Sequence, residues 1–191
     1  ENDRNRLPVN DQTGGADTVT TGTDGMAVFT GLIPGTTYWY RELTAPAGYE
    51  ASSEPVEITA PDQPSNYADV TQDVTNDRYG KFQVYKEGGT LDNTGVMQPL
   101  AGAEFQYYPR LTQNPGADLL AAQQNGTLKT LGTTGVDGVL TTGELEPGTY
   151  WVQETKAPDG YDLDTAAKEV TVTPGAGIDG YSAAVWVTFT D

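Results

Sequence analysis

Three residues carry reactive groups at positions where alternation places apolar side chains. Side chains along a strand point to opposite faces in turn. On that rule Lys86 falls in line with Phe82 and Val84, Glu154 with Tyr150 and Val152, and Asp191 with Val185, Val187 and Phe189. Burying such a group unpaired costs several kcal/mol or forces it to neutralise. Desolvation lowers an amine pKa and raises a carboxyl pKa, and a neutral lysine amine is a nucleophile. A protonated Glu154 can donate to the Asp191 carbonyl and then shuttle protons. Attack of Lys86 Nζ on that carbonyl would expel water and leave an amide between two strands. An asparagine in the acceptor position would release ammonia instead. Apposition by the fold can supply several kcal/mol of the barrier. Alternation alone leaves two other readings open: a buried salt-bridge cluster, and three strand-end residues that reach solvent.

The elements that must position these groups are short strands. The chain has 191 residues, enough for one large or two ordinary domains. Short alternating runs rich in Thr and Tyr lie between Gly, Pro, Asn and Asp clusters, and long helical periodicities are absent. That pattern predicts an all-β chain of sandwiches. With 27 acidic and 10 basic residues the formal charge is −17, which repels phosphates and argues against nucleic-acid binding. There is no Cys and no His, so disulfides, thiol catalysis, Ser-His or Cys-His dyads and His- or Cys-ligated zinc are excluded. An extracellular β protein without disulfides lacks the usual covalent staple. No apolar run is long enough to span a membrane and no secretion signal is present, so the expectation is a processed chain or a fragment.

The chain spells one passage twice. Tyr38-Trp39-Tyr40-Arg41-Glu42 with Ala45-Pro46-Ala47-Gly48-Tyr49 returns as Tyr150-Trp151-Val152-Gln153-Glu154 with Ala157-Pro158-Asp159-Gly160-Tyr161, an offset of 112. Each copy reads as a strand ending in a glutamate, followed by a turn. Thr23-Asp24-Gly25 matches Val136-Asp137-Gly138, and Asn76 maps near Asp191 at an offset of 115. Two sandwiches in tandem explain this better than a short-period solenoid.

Residues 1–17 read as a polar loop; acidic and amide side chains there could ligand calcium, but the spacing fits no calcium loop. Further strands are expected at Met26–Phe29, Val56–Ile58 and Val70–Asn76, the last turning Asn76 toward the core. Asn76–Gly80 reads as the joint. The second copy continues with strands at Lys81–Lys86, around Glu104–Tyr108, at Glu169–Thr173 and at Val185–Asp191. Lys81 is out of phase and expected to be solvated. Residues 109–133 are ambiguous, with a short helical turn at Leu119–Gln124. Trp39 and Trp151 are out of phase with the inward rows. They read as side chains lying along the outer sheet, with a binding patch or an interdomain contact as the other reading.

Lys86, Leu100-Ala101-Gly102-Ala103-Glu104-Phe105, Asp137-Gly138, Pro147-Gly148-Thr149-Tyr150, Glu154 with Ala157-Pro158-x-Gly160-Tyr161, and an acidic residue closing the last strand resemble a Cna B-type domain. Such domains repeat in Gram-positive pilins and surface adhesins. The resemblance covers nearly all of residues 79–191. It implies an inverse immunoglobulin-like sandwich with a self-formed isopeptide bond from Lys86 to Asp191, catalysed by Glu154. The family commonly has Asn as acceptor; Asp191 departs from that but is chemically competent. The first copy resembles the same family from about Thr20 to Asn76 and supplies Glu42 and Asn76 as the equivalent positions. It departs at the nucleophile, because no Lys precedes Lys81. Arg4 and Arg6 cannot substitute, since a guanidinium stays protonated.

The expectation is therefore two tandem immunoglobulin-like β-sandwich domains of Cna B type. Residues 1–77 form an incomplete domain without its first strand, by truncation or with completion by another segment or chain, and 78–191 form a complete one. The function implied is a structural stalk or backbone segment of a pilin or adhesin on a Gram-positive surface. It forms one bond on itself and is not a turnover enzyme. No cofactor or metal is expected, and the paired carboxylates carry no cleft that would suggest a glycosidase. The partners implied are other pilin or adhesin domains, with host extracellular ligands if the chain is instead an adhesive module for protein or glycan.

Overall fold

The computed structural model describes residues 18–52, 54–62, 70–89, 96–178 and 182–190. The chain divides into two compact units, Glu1–Pro46 with Ala51–Asn76, and Ala47–Glu50 with Asp77–Asp191. The expected polar loop at 1–17 and the acceptor Asp191 lie outside the described residues.

In the first unit, β1 (Thr37–Tyr40) pairs antiparallel with β2 (Val56–Thr59). The register sets Thr37 opposite Thr59, and their hydroxyls lie 3.0 Å apart. The sequence expectation needs three corrections here. Met26–Phe29 is not a strand: Met26 and Val28 are exposed and have no ladder partner among the described residues. Val70–Asn76 is not a strand either, and Val70 and Val74 are exposed instead of facing a core. Glu42 lies two residues past the end of β1, not on it. Alternation assigns faces only once a neighbouring strand fixes the ladder.

The second unit is a sandwich of two four-stranded sheets. In the first sheet, β3 (Phe82–Gly88) pairs in parallel with β10 (Val185–Thr190). The other edge of β3 is shared, antiparallel, by β4 (Gln98–Pro99) and β7 (Val139–Thr141). The second sheet runs β6-β5-β8-β9, with β5 at Glu104–Pro109, β6 at Lys129–Thr133, β8 at Gly148–Lys156 and β9 at Lys168–Val172. Inner faces alternate as strand geometry requires, and Phe82, Val84, Phe105, Val152, Val170, Val172, Val187 and Phe189 form one buried core. The all-β, immunoglobulin-like reading stands.

The ambiguous stretch holds a helix, α1 (Pro115–Asn125), longer than the expected turn. Its boundaries follow from local chemistry. Asn114 Oδ1 accepts from the Gly116 and Ala117 N–H groups, Pro115 begins the helix, and Gly126 ends it in a left-handed conformation. The helix covers the outer face of the second sheet, packing Ala122 against Tyr108 and Trp151. Trp151 is therefore a buried residue and not part of an open outer face; Trp39 is half-buried.

Candidate functional site

The site lies between the two sheets of the second unit. On β3 the inward row Phe82, Val84, Lys86 is wholly buried, while Lys81 just ahead of it is half-buried. On β8 the inward row is Tyr150, Val152 and Glu154. These rows face each other, and Lys86 Nζ meets Glu154 Oε1 at 2.9 Å with both side chains fully buried. The second carboxylate oxygen, Oε2, accepts from the backbone N–H of Asp164 at 2.9 Å. Glu154 Oε2 is thus held by the loop, while Oε1, wholly buried, accepts no hydrogen bond among the described residues and has the Lys86 ammonium beside it as its ion-pair partner.

Aromatic rings wall the pair. Phe105 lies opposite Glu154 in the β5–β8 ladder, and Phe189 opposite Lys86 in the β3–β10 ladder. Their ring centroids are 4.9 Å apart. The backbone of Lys86 is fixed as well, since its N–H donates to Gly138 O at 2.8 Å and its carbonyl accepts from Leu100 N at 2.9 Å. Gly138 has φ 68°, and a Cβ there would lie 2.4 Å from Lys86 O, so both conformation and space require glycine. The Asp137-Gly138 turn therefore positions Lys86, a role the sequence did not disclose.

The acceptor expected from the sequence, Asp191, lies outside the described residues. It directly follows Thr190, the last residue of β10, whose register brings Phe189 level with Lys86.

The first unit repeats half of this arrangement. The half-buried Glu42 accepts at Oε2 from the Ser52 N–H at 2.9 Å, the same ten-residue reach as Asp164 to Glu154. Asn76 Nδ2 also donates to Glu42 Oε2. The hydroxyl pair Thr37–Thr59 returns as Thr149–Thr171 at 3.2 Å, again at the offset of 112. Gly48 and Gly160 close the two Ala-Pro-x-Gly-Tyr turns at φ 86° and 89°. The structure thus brings Glu42 and Asn76 together, and no lysine occurs in the sequence before Lys81. Arg4 and Arg6 lie outside the described residues.

Other titratable groups serve the frame. Tyr150 donates to Glu146 O at 2.8 Å, and burial, then the nearby Glu146, Tyr107 and Glu50, push its phenol up to about 12. Asp118 on α1 is buried, which raises its carboxyl; bonds from Thr112, Trp151 and Leu111 outweigh this and hold it below the usual range. The Trp151 indole N–H donates to it at 3.0 Å. Surface openings of about 430 and 330 Å³ are lined around Arg110 and Thr112, and around Tyr79, Tyr107 and Tyr150; neither includes Lys86 or Glu154. Among the described residues no His, Cys, Asp and Glu cluster could hold a metal ion, and no helix is long and apolar enough to cross a membrane.

Two side chains beside the site went unnoticed in the sequence, Asp164 and Lys168. Both sit between the Gly160-Tyr161 turn and the strand expected at Glu169–Thr173, and only the fold shows what they touch. Lys168 Nζ lies 4.2 Å from the Phe189 ring centroid, donates to Thr188 O at 3.0 Å and pairs with Asp164 Oδ2 at 3.5 Å.

Against known proteins, the SpaA prealbumin-like fold domain model matches residues 3–78 and again 80–180. Among solved structures, the major pilin subunit BcpA of Bacillus cereus is 26% identical over 59% of this chain and 28% of its own, with a TM-score of 0.42. The minor pilin of Streptococcus agalactiae is 19% identical over 90% of this chain and 66% of its own, with a TM-score of 0.42. The full-length major pilin SpaD of Corynebacterium diphtheriae is 26% identical over 59% of this chain and 32% of its own, with a TM-score of 0.37. The chain thus spans less than two thirds of each of these pilins. No curated protein matches it.

Proposed function

Because the chain belongs to the SpaA prealbumin-like fold domain family, matched once over 3–78 and once over 80–180, we propose that it is a stalk segment of a Gram-positive surface pilus. The resemblance to Cna B-type domains agrees with that membership. Family membership supports a structural role in a pilus at the cell surface, with other pilin domains as partners. In this reading residues 1–77 and 78–191 are successive modules, and the second carries its own covalent cross-link.

The cross-link is an isopeptide bond from Lys86 Nζ to the Asp191 side-chain carbon. The observation that carries it is the 2.9 Å Lys86–Glu154 contact with no solvent at either side chain. Two charges held away from water keep a desolvation cost that neutral partners avoid. Moving one proton along the contact, from Nζ to Oε1, leaves a neutral amine beside a neutral acid. The amine attacks the carbonyl carbon of the Asp191 carboxylate, Glu154 gives its proton to the departing oxygen, and Glu154 then takes one proton from the attacking nitrogen and passes it to that same oxygen, which leaves as water. One C–N bond forms, one C–O bond breaks and one water leaves. Glu154 is regenerated once, so the chain modifies itself and turns nothing over. The bond ties the first strand of the module to its end, which resists unfolding under load or protease.

The test is the intact mass of the 191-residue chain beside Lys86→Ala and Glu154→Ala. Wild type lighter by one water, with both variants at full mass, is the expected result. A wild type at full mass leaves Lys86 and Glu154 as a buried ion pair and removes the cross-link. A second reading, an adhesive module, is favoured by Trp186, which is half-exposed beside Tyr85 on the outer face of the first sheet. Binding to a glycan or host-protein panel that is lost on Trp186→Ala would support it.

A further inference from the structure

Lys168 and Asp164 form a brace around the Lys86–Glu154 pair. The contacts run in one line. Lys86 Nζ meets Glu154 Oε1, and Glu154 Oε2 accepts from the Asp164 N–H. Asp164 Oδ1 accepts from the Ala166 N–H at 3.0 Å, which folds the loop back on itself. Asp164 Oδ2 pairs with Lys168 Nζ, and Lys168 Nζ donates to Thr188 O on β10. The same ammonium lies over the face of Phe189, the residue level with Lys86. A cation so placed gains from the ring quadrupole.

Each contact has a consequence for the condensation. The loop N–H fixes the rotation of the Glu154 carboxylate, so the other oxygen points at the nucleophile. The Thr188 carbonyl lies on an edge strand, where an unpaired backbone group would otherwise face water. Lys168 takes that carbonyl and so holds β10 to β9 three residues before Asp191. The loop that aims the catalyst and the strand that carries the acceptor are therefore tied to one ammonium group. The first unit offers an internal comparison. At the offset of 112, Ser52 stands for Asp164 and Val56 for Lys168. Ser52 keeps the N–H contact to Glu42, but neither side chain can form the ion pair.

We propose that Lys168 and Asp164 are positioning residues for isopeptide formation, holding Glu154 and strand β10 in the geometry in which Lys86 attacks. The inference rests on the cross-link proposed above. Neither residue touches the reacting atoms, and neither is consumed.

The experiment follows bond formation in time. The full chain is made by cell-free synthesis, synthesis is stopped, and samples quenched in denaturant are read by intact mass for the loss of one water. Lys168→Met is expected to slow the loss about tenfold, since small misplacements cost that much or more in oriented reactions. Lys168→Arg, which keeps a cation and a donor, is expected to restore most of the rate. Asp164→Asn, which keeps the N–H to Glu154 but loses the charge, is expected to slow it as well. Fold stability is read separately, from unfolding midpoints in the uncross-linkable Glu154→Ala background. If Lys168→Met lowers that midpoint strongly, Asp164→Asn decides. Lys168→Met or Asp164→Asn reacting at the wild-type rate overturns the brace, as does Lys168→Arg reacting as slowly as Lys168→Met. A wild-type chain that never loses water overturns the cross-link itself, and the brace with it.

Discussion

Lys86 Nζ lies 2.9 Å from Glu154 Oε1, and neither side chain is exposed. The pair joins two sheets across a core of Phe, Val and Tyr, shielded from bulk solvent. Removing either partner deprives the other of this buried contact. Glu154→Ala and Lys86→Met should each keep full mass, and each should unfold below the double variant Lys86→Met/Glu154→Ala, because each leaves one buried group without the Lys86–Glu154 contact. A buried charge left without its partner costs about 3–5 kcal/mol. Denaturant unfolding compares the three variants, and a double variant no more stable than either single one would show that the buried charge is not what matters.

The acceptor is tested by what leaves. Asp191→Asn should form the same amide but lose ammonia in place of water. Asp191→Ala should keep its full mass. Closing a loop on the order of 100 residues contributes about 4–5 kcal/mol through the unfolded chain. Asp191→Ala should therefore unfold well below wild type and become sensitive to trypsin, while Asp191→Asn stays resistant. If Asp191→Ala still loses water, another carboxyl is the acceptor.

The first unit supplies a control. Glu42 holds Asn76 through its Oε2, but the sequence contains no lysine before Lys81. Glu42→Ala and Asn76→Ala should leave the mass deficit of the chain at one water. A loss of ammonia in wild type, abolished by Asn76→Ala, would show that an amine does reach this acceptor.

The parts of the site legible in the sequence were those with a short-range signature. Lys86 and Glu154 stand out because each breaks a period-two apolar row, and the strand environment makes that row an inner face. The helix was marked by Asn114-Pro115 and Gly126, yet its buried residues are only Asp118 and Ala122, so no apolar stripe announced it. The parallel pairing of β3 with β10 joins residues about 100 positions apart and has no local sign, so the level of Phe189 with Lys86 was not readable. Lys168 has no local sign of its role because its partners are a loop carboxylate, a carbonyl and a ring from separate stretches. Met26–Phe29 and Val70–Asn76 misled for the converse reason: they read as strands, but no ladder receives them among the described residues.

Asp118 gives the second unit an acid-sensitive joint. Its folded carboxyl lies below the ordinary value because the bonds from Thr112, Trp151 and Leu111 outweigh burial. A depressed carboxyl contributes stability above its unfolded pKa and loses it as pH falls through the folded one. Asp118→Asn should lower the unfolding midpoint at neutral pH and narrow the gap to wild type in acid. The Trp151 fluorescence, quenched or shifted by the neighbouring carboxylate, reports the same event. A gap that stays constant from neutral to acid pH would mean that the Asp118 charge adds nothing.

Tyr150 acts at the other end of the scale. Its phenol is raised from 10.0 to about 12, by burial first and then by Glu146, Tyr107 and Glu50. A group whose folded pKa lies above its unfolded one binds its proton more tightly when folded. Its contribution is complete below about pH 10 and is lost as pH climbs toward 12. The second unit should therefore weaken across that window, with Tyr107 and Tyr108, also raised by burial, adding to the slope. Tyr150→Phe removes the bond to Glu146 O and should cost about 1 kcal/mol at neutral pH. It should also flatten the alkaline decline, because the phenylalanine has no proton to lose. The comparison belongs in the Glu154→Ala background, where no cross-link masks the midpoint. There, wild-type-like alkaline loss in Tyr150→Phe would assign the slope to Tyr107 and Tyr108 instead.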